Sequence, residues 1–132
     1  MLVHGQCHCG GISYEADVTP GTVAICHCSD CQAFAGGPYR AMIRPDMATF
    51  KLSGTPREYL KTADSGRQRA QGFCGTCGCH LYASDPDGGN LSLRIGVIAE
   101  RHELGEPMRQ IWCDSALPWT FDLARVPKTA RQ

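Results

Sequence analysis

The stretch Cys74-Gly75-Thr76-Cys77-Gly78-Cys79 is the strongest structural signal in this chain. A Cys-x-x-Cys-Gly sequence wraps a tight turn around a metal ion, and its spacing is typical of zinc ligands. Two earlier stretches are also rich in cysteine, namely Cys7-His8-Cys9 and Cys26-His27-Cys28-Ser29-Asp30-Cys31. Eight of the nine cysteines therefore lie in three short clusters, and we expect them to be divided between two metal sites.

The bulk composition restricts the class of protein. The formal net charge is zero, so the chain lacks the basic face of a typical nucleic-acid-binding protein. No apolar run approaches the roughly 18 residues of a membrane helix, and residues 1–7 lack the pattern of a signal peptide. We therefore expect a cytoplasmic protein, with no nucleic-acid or membrane partner. In a reducing compartment, clustered cysteines more often bind metal than form disulfides, and an odd count fits a disulfide framework poorly.

The 132 residues are expected to form one zinc-binding domain over residues 1–132. We place its core at about residues 5–123 and a mobile polar tail at residues 124–132.

Short strand patterns dominate the chain. Ile12, Tyr14 and Ala16 alternate with polar residues, as in a strand with one buried face. Turn sequences such as Asp85-Pro86-Asp87-Gly88-Gly89-Asn90 separate these patterns, so we predict a mainly β fold. The other predicted strands are Thr22–Cys26, Tyr39–Ile43, Thr49–Leu52, Arg57–Leu60, Arg69–Phe73, His80–Ala83, Leu91–Gly96 and Met108–Trp112.

Only one short helical segment is predicted. Ser29 or Asp30 is expected to cap a helix over Cys31 to Ala35, and Gly36-Gly37-Pro38 would end it.

The spacing of the cysteines suggests how they are divided. On extended chain, residues two apart point the same way, so Cys7 and Cys9 would present two sulfurs on one face. We pair them with Cys74 and Cys77 in a closed, structural zinc site. His8 would point away from the metal and is expected to be structural or exposed.

The remaining cluster supplies three sulfurs, from Cys26, Cys28 and Cys31. Three protein ligands leave one coordination position for water or an incoming ligand, as a catalytic or thiol-binding zinc requires. We therefore predict that these three cysteines are the catalytic residues. His27 would point to the opposite side, which favours a structural or outer-shell role over proton transfer.

Together the clusters resemble those of the glutathione-dependent formaldehyde-activating enzymes, a family that includes the centromere protein V domain. The resemblance covers residues from about 5 to 123. The motifs that carry it are Gly5-Gln6-Cys7-His8-Cys9-Gly10-Gly11-Ile12, Cys26-His27-Cys28-Ser29-Asp30-Cys31 with Gly36-Gly37-Pro38-Tyr39, Phe73-Cys74-Gly75-Thr76-Cys77-Gly78-Cys79-His80-Leu81-Tyr82, and Asp114-Ser115-Ala116-Leu117-Pro118-Trp119.

The resemblance implies a β-tent fold of antiparallel sheets pinned by zinc. It implies a structural zinc on the four-cysteine set and a second, more labile zinc on the three-cysteine set, where glutathione binds. The implied activity is that of a carbon–sulfur lyase, an S-hydroxymethylglutathione synthase that joins glutathione or a related thiol to a small aldehyde. The partners are then a small-molecule thiol and aldehyde, and the protein a monomer or homodimer.

Several points stay open. Cys79 departs from the family pattern and would either close the second site or lie buried and free. Cys113 is expected in the core.

Arg40, Arg67 and Arg69 are possible partners for the carboxylates of glutathione, although surface roles are favoured. The residues expected to line the ligand pocket are Phe34, Gly36, Gly37 and Tyr39.

Two functional alternatives also stay open. The chain would be a non-enzymatic glutathione or thiol carrier, or a zinc-stabilised binding module, if thiol affinity came without catalysis. It would be a lyase for a different thiol adduct if glutathione were not the substrate.

Overall fold

The computed structural model describes residues 1–132. It contains ten strands in two sheets, together with one α-helix. The smaller sheet has three antiparallel strands in the order β1-β2-β5. These strands are β1 Leu2–Gln6, β2 Ser13–Asp17 and β5 Lys51–Ser53.

The larger sheet has seven strands in the order β10-β3-β4-β9-β8-β7-β6. All neighbours in it are antiparallel except β10 and β3, which run parallel. The mainly β prediction is confirmed. The strands of this sheet are β3 Ala24–Cys26, β4 Arg40–Ile43, β6 Arg57–Thr62, β7 Gln68–Phe73, β8 His80–Ser84, β9 Ser92–Arg94 and β10 Arg109–Ile111.

The core lies between the two sheets. Val3 from the small sheet and Ile43, Leu81 and Leu93 from the large sheet are at most 1 % exposed. They belong to one cluster of 15 buried residues, so the apolar faces of the two sheets form a single hydrophobic core. The helix contacts β4 of the large sheet, where its Phe34 ring lies near the Arg40 guanidinium.

The helix α1 spans Ser29–Ala35 and begins two residues before the predicted start. The prediction that Ser29 or Asp30 caps it was wrong. Cys28 is the N-cap, and its sulfur accepts a hydrogen bond from the Cys31 amide. Asp30 lies in the first turn and instead forms an ion pair with Lys61. The helix ends at Gly36, whose φ of 65° is the left-handed conformation that glycine tolerates best.

The C-terminal part of the chain contains short 3₁₀ helices and little regular structure. None of the helices is long and apolar enough to cross a bilayer. The 3₁₀ helices are Ile95–Val97, Arg101–Glu103, Cys113–Ser115 and Pro118–Phe121.

Candidate metal centres

Four cysteines from two distant loops form the first cluster. Cys7 and Cys9 lie between β1 and β2 of the small sheet, whereas Cys74 and Cys77 lie between β7 and β8 of the large sheet. Their four sulfurs lie within 4.8 Å of one another. The cluster therefore joins the two sheets at one edge of the core.

The sulfur spacing fits a tetrahedral zinc ion. The Sγ atoms of Cys7 and Cys9 are 3.6 Å apart, and those of Cys9 and Cys74 are 3.7 Å apart. A regular tetrahedron with Zn–S bonds of about 2.3 Å would place its sulfurs roughly 3.8 Å apart. A disulfide would bring two sulfurs to about 2.05 Å. All nine cysteines are free thiols, so the donor set and its spacing suit zinc.

The local backbone differs from the extended chain predicted at the first pair. Residues 7–10 form a turn, closed by a 3.0 Å hydrogen bond from the Gly10 amide to the Cys7 carbonyl. His8 is exposed, as expected. The second pair follows the predicted tight turn, in which the Gly78 amide donates to the Cys74 carbonyl at 2.9 Å. Gly78 has a φ of 75°, which a residue with a side chain rarely adopts.

Backbone amides favour thiolates in this cluster. The Ile12 amide donates to Cys7 Sγ at 3.3 Å. The nearby backbone amides of Cys79 and Cys9 lower the pKa of Cys77 to about 6. Such N–H donors would offset part of the negative charge of four thiolates around one ion.

The second cluster is local. Cys26 ends β3, Cys28 caps α1, and Cys31 lies in the first turn of the helix. Their sulfurs also lie within 4.8 Å of one another. Cys26 and Cys31 are buried, and Cys28 is half-buried. A strand end followed by a capped helix therefore gathers three sulfurs within six residues.

Cys26 and Cys31 differ in how readily they lose a proton. The neighbouring Cys31 thiol lowers the pKa of Cys26 to about 5, with further help from the Cys28 amide and the charge of Arg40. The same interaction with Cys26, together with burial, raises the pKa of Cys31. These neighbours favour the thiolate form of Cys26, the form in which cysteine binds metal.

Cys79 and Cys113 belong to neither cluster. Cys79 is half-buried and packs against the core, so the second cluster has three cysteine sulfurs and no fourth. The prediction that Cys113 lies in the core was wrong, because it is exposed at the start of a 3₁₀ helix. The apolar residues before it misled the interpretation, since Ile111 and Trp112 are 37 % and 61 % exposed.

His27, between two of the cysteines of the second cluster in the chain, lies in the interior. It is 1 % exposed, and its Nε2 lies 2.7 Å from Gln110 Oε1. The rings of Tyr39 and Phe121 pack against its imidazole at centroid distances of 5.4 and 5.3 Å. These contacts describe a packed core histidine, and they link β3 to the C-terminal segment.

A cavity of about 610 Å³ lies beside α1. Three of the residues predicted to line a pocket, Phe34, Gly36 and Tyr39, border it, whereas Gly37 does not. The cavity also contacts residues that the sequence did not single out. Among these are His80 and Arg94, whereas Cys79 and Arg40, which the sequence analysis names, complete the polar lining.

Two of the candidate arginines lie elsewhere. Arg67 and Arg69 both bind the carboxylate of Asp85, at 3.1 and 2.8 Å, next to the turn that follows β8. Neither borders the cavity. Of the three arginines considered in the sequence, only Arg40 lines the cavity.

Comparison with known proteins agrees with this arrangement. A family model described as glutathione-dependent formaldehyde-activating enzyme matches residues 2–115. The chain belongs to the glutathione-dependent formaldehyde-activating enzyme family. Both of its cysteine clusters fall inside the matched region.

Two further comparisons concern this member of the formaldehyde-activating enzyme family. No curated protein matches the chain. A crystal structure of a Rhodobacter sphaeroides protein from structural genomics matches with a TM-score of 0.60 and 18 % identity, covering 81 % of this chain and 98 % of that one. At this identity the likeness concerns the fold alone.

Proposed function

We propose that this protein is a zinc-dependent carbon–sulfur lyase that joins glutathione, or a related thiol, to a small aldehyde. The observation that carries the proposal is the cluster of Cys26, Cys28 and Cys31, which has three sulfurs and no fourth protein donor. The four-cysteine cluster at the edge of the core would have the structural role. Family membership supports this class of reaction.

A zinc ion on the three sulfurs would keep one position for an incoming thiol and would hold it as a thiolate near neutral pH. In the reaction, the thiol sulfur forms a bond to the aldehyde carbon while the carbonyl π bond breaks. The thiol proton ends on the former carbonyl oxygen, so no oxidant or reductant is consumed.

In this proposal His80 would carry that proton. It borders the cavity, and its buried Nδ1 has no hydrogen-bond partner in the protein. Burial and the charges of Arg94 and Arg40 lower the pKa of His80, so the imidazole is neutral at physiological pH and is able to accept a proton. The rings of Phe73 and Phe34 lie against it at 5.8 and 6.0 Å and fix its orientation.

The test compares Cys31→Ser with Cys113→Ser, which changes an exposed cysteine outside both clusters. The rate of exchange between free and glutathione-bound formaldehyde is measured by NMR for zinc-loaded proteins. We expect Cys31→Ser to abolish the acceleration while the protein stays folded, and Cys113→Ser to retain it. Full turnover in Cys31→Ser would contradict the proposal, and glutathione binding without acceleration in the wild type would indicate a thiol carrier instead.

A further inference from the structure

One face of the large sheet brings two arginines next to the three-cysteine cluster. Cys26 and Arg40 are directly opposite each other on β3 and β4, so their side chains emerge on the same face. Arg94 of β9 is opposite Met42, two residues beyond Arg40, and therefore shares that face. Across β3, β4 and β9, this face therefore carries the Cys26 thiol, the Arg40 guanidinium and the Arg94 guanidinium in that order.

Both guanidinium groups turn toward one neutral oxygen. Arg40 Nη1 and Arg94 Nη2 donate to Oε1 of Gln71, at 2.9 and 3.2 Å. Neither arginine has a carboxylate within salt-bridge distance, in contrast to Arg67 and Arg69, which share Asp85. Two positive charges thus meet at a single amide.

This arrangement leaves hydrogen-bond donors without partners. Arg94 is 6 % exposed, yet its buried Nε and Nη1 donate to no protein atom. Nε of Arg40 is likewise buried and unpaired. A buried charge without a counter-ion destabilises a fold, so its presence calls for a ligand that is negatively charged.

The thiolates account for only part of this charge. Cys26 is the cross-strand neighbour of Arg40, so a thiolate at Cys26 would attract the Arg40 guanidinium. Through-space attraction of this kind does not supply acceptors for the free N–H groups. An acceptor with two oxygens, such as a carboxylate, would fit both the charge and the directional donors of guanidinium.

The two arginines also border the cavity beside α1. Arg40 and Arg94 line it together with His80, and the Phe34 ring lies 5.8 Å from the Arg40 guanidinium carbon. A ligand in this cavity would therefore reach the guanidinium groups and the proposed proton carrier at once.

We propose that Arg40 and Arg94 bind a carboxylate of the compound held at the three-cysteine cluster, so that the substrate is an acid. The inference rests on the proposed function for its link to the thiol. The carboxylate belongs either to the thiol, as in glutathione, or to the aldehyde, as in glyoxylate. In the second case a thiol RSH and glyoxylate give RS–CH(OH)–COO⁻, with the thiol proton transferred to oxygen.

Binding measurements test the proposal without turnover. Isothermal titration calorimetry on the zinc-loaded wild type compares glutathione with its dimethyl ester and with cysteamine, which has no carboxylate. If the thiol supplies the carboxylate, glutathione binds at least about tenfold more tightly than the ester. If the aldehyde supplies it, the ester binds as well as glutathione, and the hemithioacetal of 2-mercaptoethanol with glyoxylate binds more tightly than that with formaldehyde. Equal binding in both comparisons would overturn the proposal.

Substitutions test whether the preference for a carboxylate-bearing ligand depends on the arginines. Arg94→Met should reduce the preference for the carboxylate-bearing ligand by about tenfold and leave cysteamine binding unchanged. Arg44→Met, which removes an exposed arginine at the end of β4, is the matched control and should keep the preference. If Arg94→Met does not fold, Arg94→Lys tests the same point, because lysine keeps the charge but loses the paired donors.

Zinc content separates this role from a structural one. Arg94→Met and Arg44→Met should both retain two zinc ions per chain. Loss of zinc from Arg94→Met, or an equal loss of affinity for cysteamine and glutathione, would show that Arg94 serves the cluster and would contradict the anion site. Carboxylate-dependent binding without any acceleration of adduct formation would contradict the lyase proposal alone. It would still support carboxylate binding by Arg40 and Arg94.

Discussion

Cys9 Sγ lies 3.7 Å from Cys74 Sγ, although 65 residues separate them in the chain. The contact joins the loop that follows β1 in the small sheet to the loop that follows β7 in the large sheet. A metal ion held here closes a long loop, and it would stabilise the fold at the point where the two sheets meet.

Replacing Cys77 by Ser is expected to unfold the protein or prevent its accumulation. Zinc in small structural sites contributes about 10–16 kcal/mol of apparent folding free energy at neutral pH. That is as large as the net stability of a whole domain, about 5–15 kcal/mol. Soluble yield and thermal unfolding by circular dichroism would measure the effect. Cys79→Ser is the control, and an unchanged melting temperature in Cys77→Ser would refute the structural assignment.

The two zinc ions are expected to differ in lability. The four-cysteine cluster offers four sulfurs from loops of both sheets, whereas the second cluster offers three sulfurs from one short segment. A mild chelator with a coloured zinc complex should therefore remove one equivalent well before the other. Added glutathione should slow the faster phase, because it would occupy the fourth position. Two equivalents released together, with no effect of glutathione, would contradict this division.

The catalytic activity is expected to decline at acidic pH. Burial and the neighbouring arginines lower the pKa of His80, so the imidazole stays neutral until the pH drops below the usual histidine range of about 6.5. As the pH falls through this lowered pKa, the proton acceptor is lost and kcat/KM should decline. His80→Gln should lower kcat/KM by about 10²-fold and remove the acid limb. His102→Gln, which changes an exposed histidine, should retain both, and an acid limb that persists in His80→Gln would exclude the assigned role.

Asp85 is expected to stabilise the fold in a pH-dependent way. Its carboxylate accepts hydrogen bonds from Asn90, Arg69 and Arg67, which lower its pKa. Because the pKa of Asp85 is lowered in the folded state, its stabilising effect is complete above its unfolded-state pKa of about 4. The effect is lost as the pH falls through the folded-state pKa. Asp85→Asn should therefore reduce the free energy of unfolding at pH 7.

Urea titrations of Asp85→Asn and wild type at pH 7 and pH 3 would check this expectation. The difference between the two proteins should shrink at the lower pH. Asp64→Asn, which removes an exposed carboxylate without a salt bridge, is the control and should differ little at either pH. If the difference in the free energy of unfolding between wild type and Asp85→Asn grew on acidification, the result would contradict this expectation.

Much of the fold could be predicted because strand patterns and turn residues are local signals. The strand β1 was missed, since one of its two inward positions is Gly5, whose missing side chain hides the alternation. The Tyr14 ring occupies the space over Gly5 that a side chain would need. The cross-strand tyrosine thus supplies the buried apolar surface, and only tertiary structure reveals it.

The site could be predicted only in part, for a related reason. Cysteine spacing indicates metal ligands from sequence alone, whereas Arg94 is one polar residue within the strand predicted over Leu91–Gly96. Its role depends on Arg40 and Gln71 from two other strands, and no local pattern connects the three residues. The capping sulfur of Cys28 was likewise hidden, because serine and aspartate are the usual caps.

The central claim is that one ion is enclosed by Cys7, Cys9, Cys74 and Cys77, while its neighbour is held by three sulfurs and accepts a thiol. Anomalous diffraction at the zinc edge, from crystals of the zinc-loaded protein grown with glutathione, tests it most directly. We predict two peaks, one within four cysteine sulfurs and one within Cys26, Cys28, Cys31 and the sulfur of glutathione. A single peak, or a fourth protein ligand at the second one, would contradict the account.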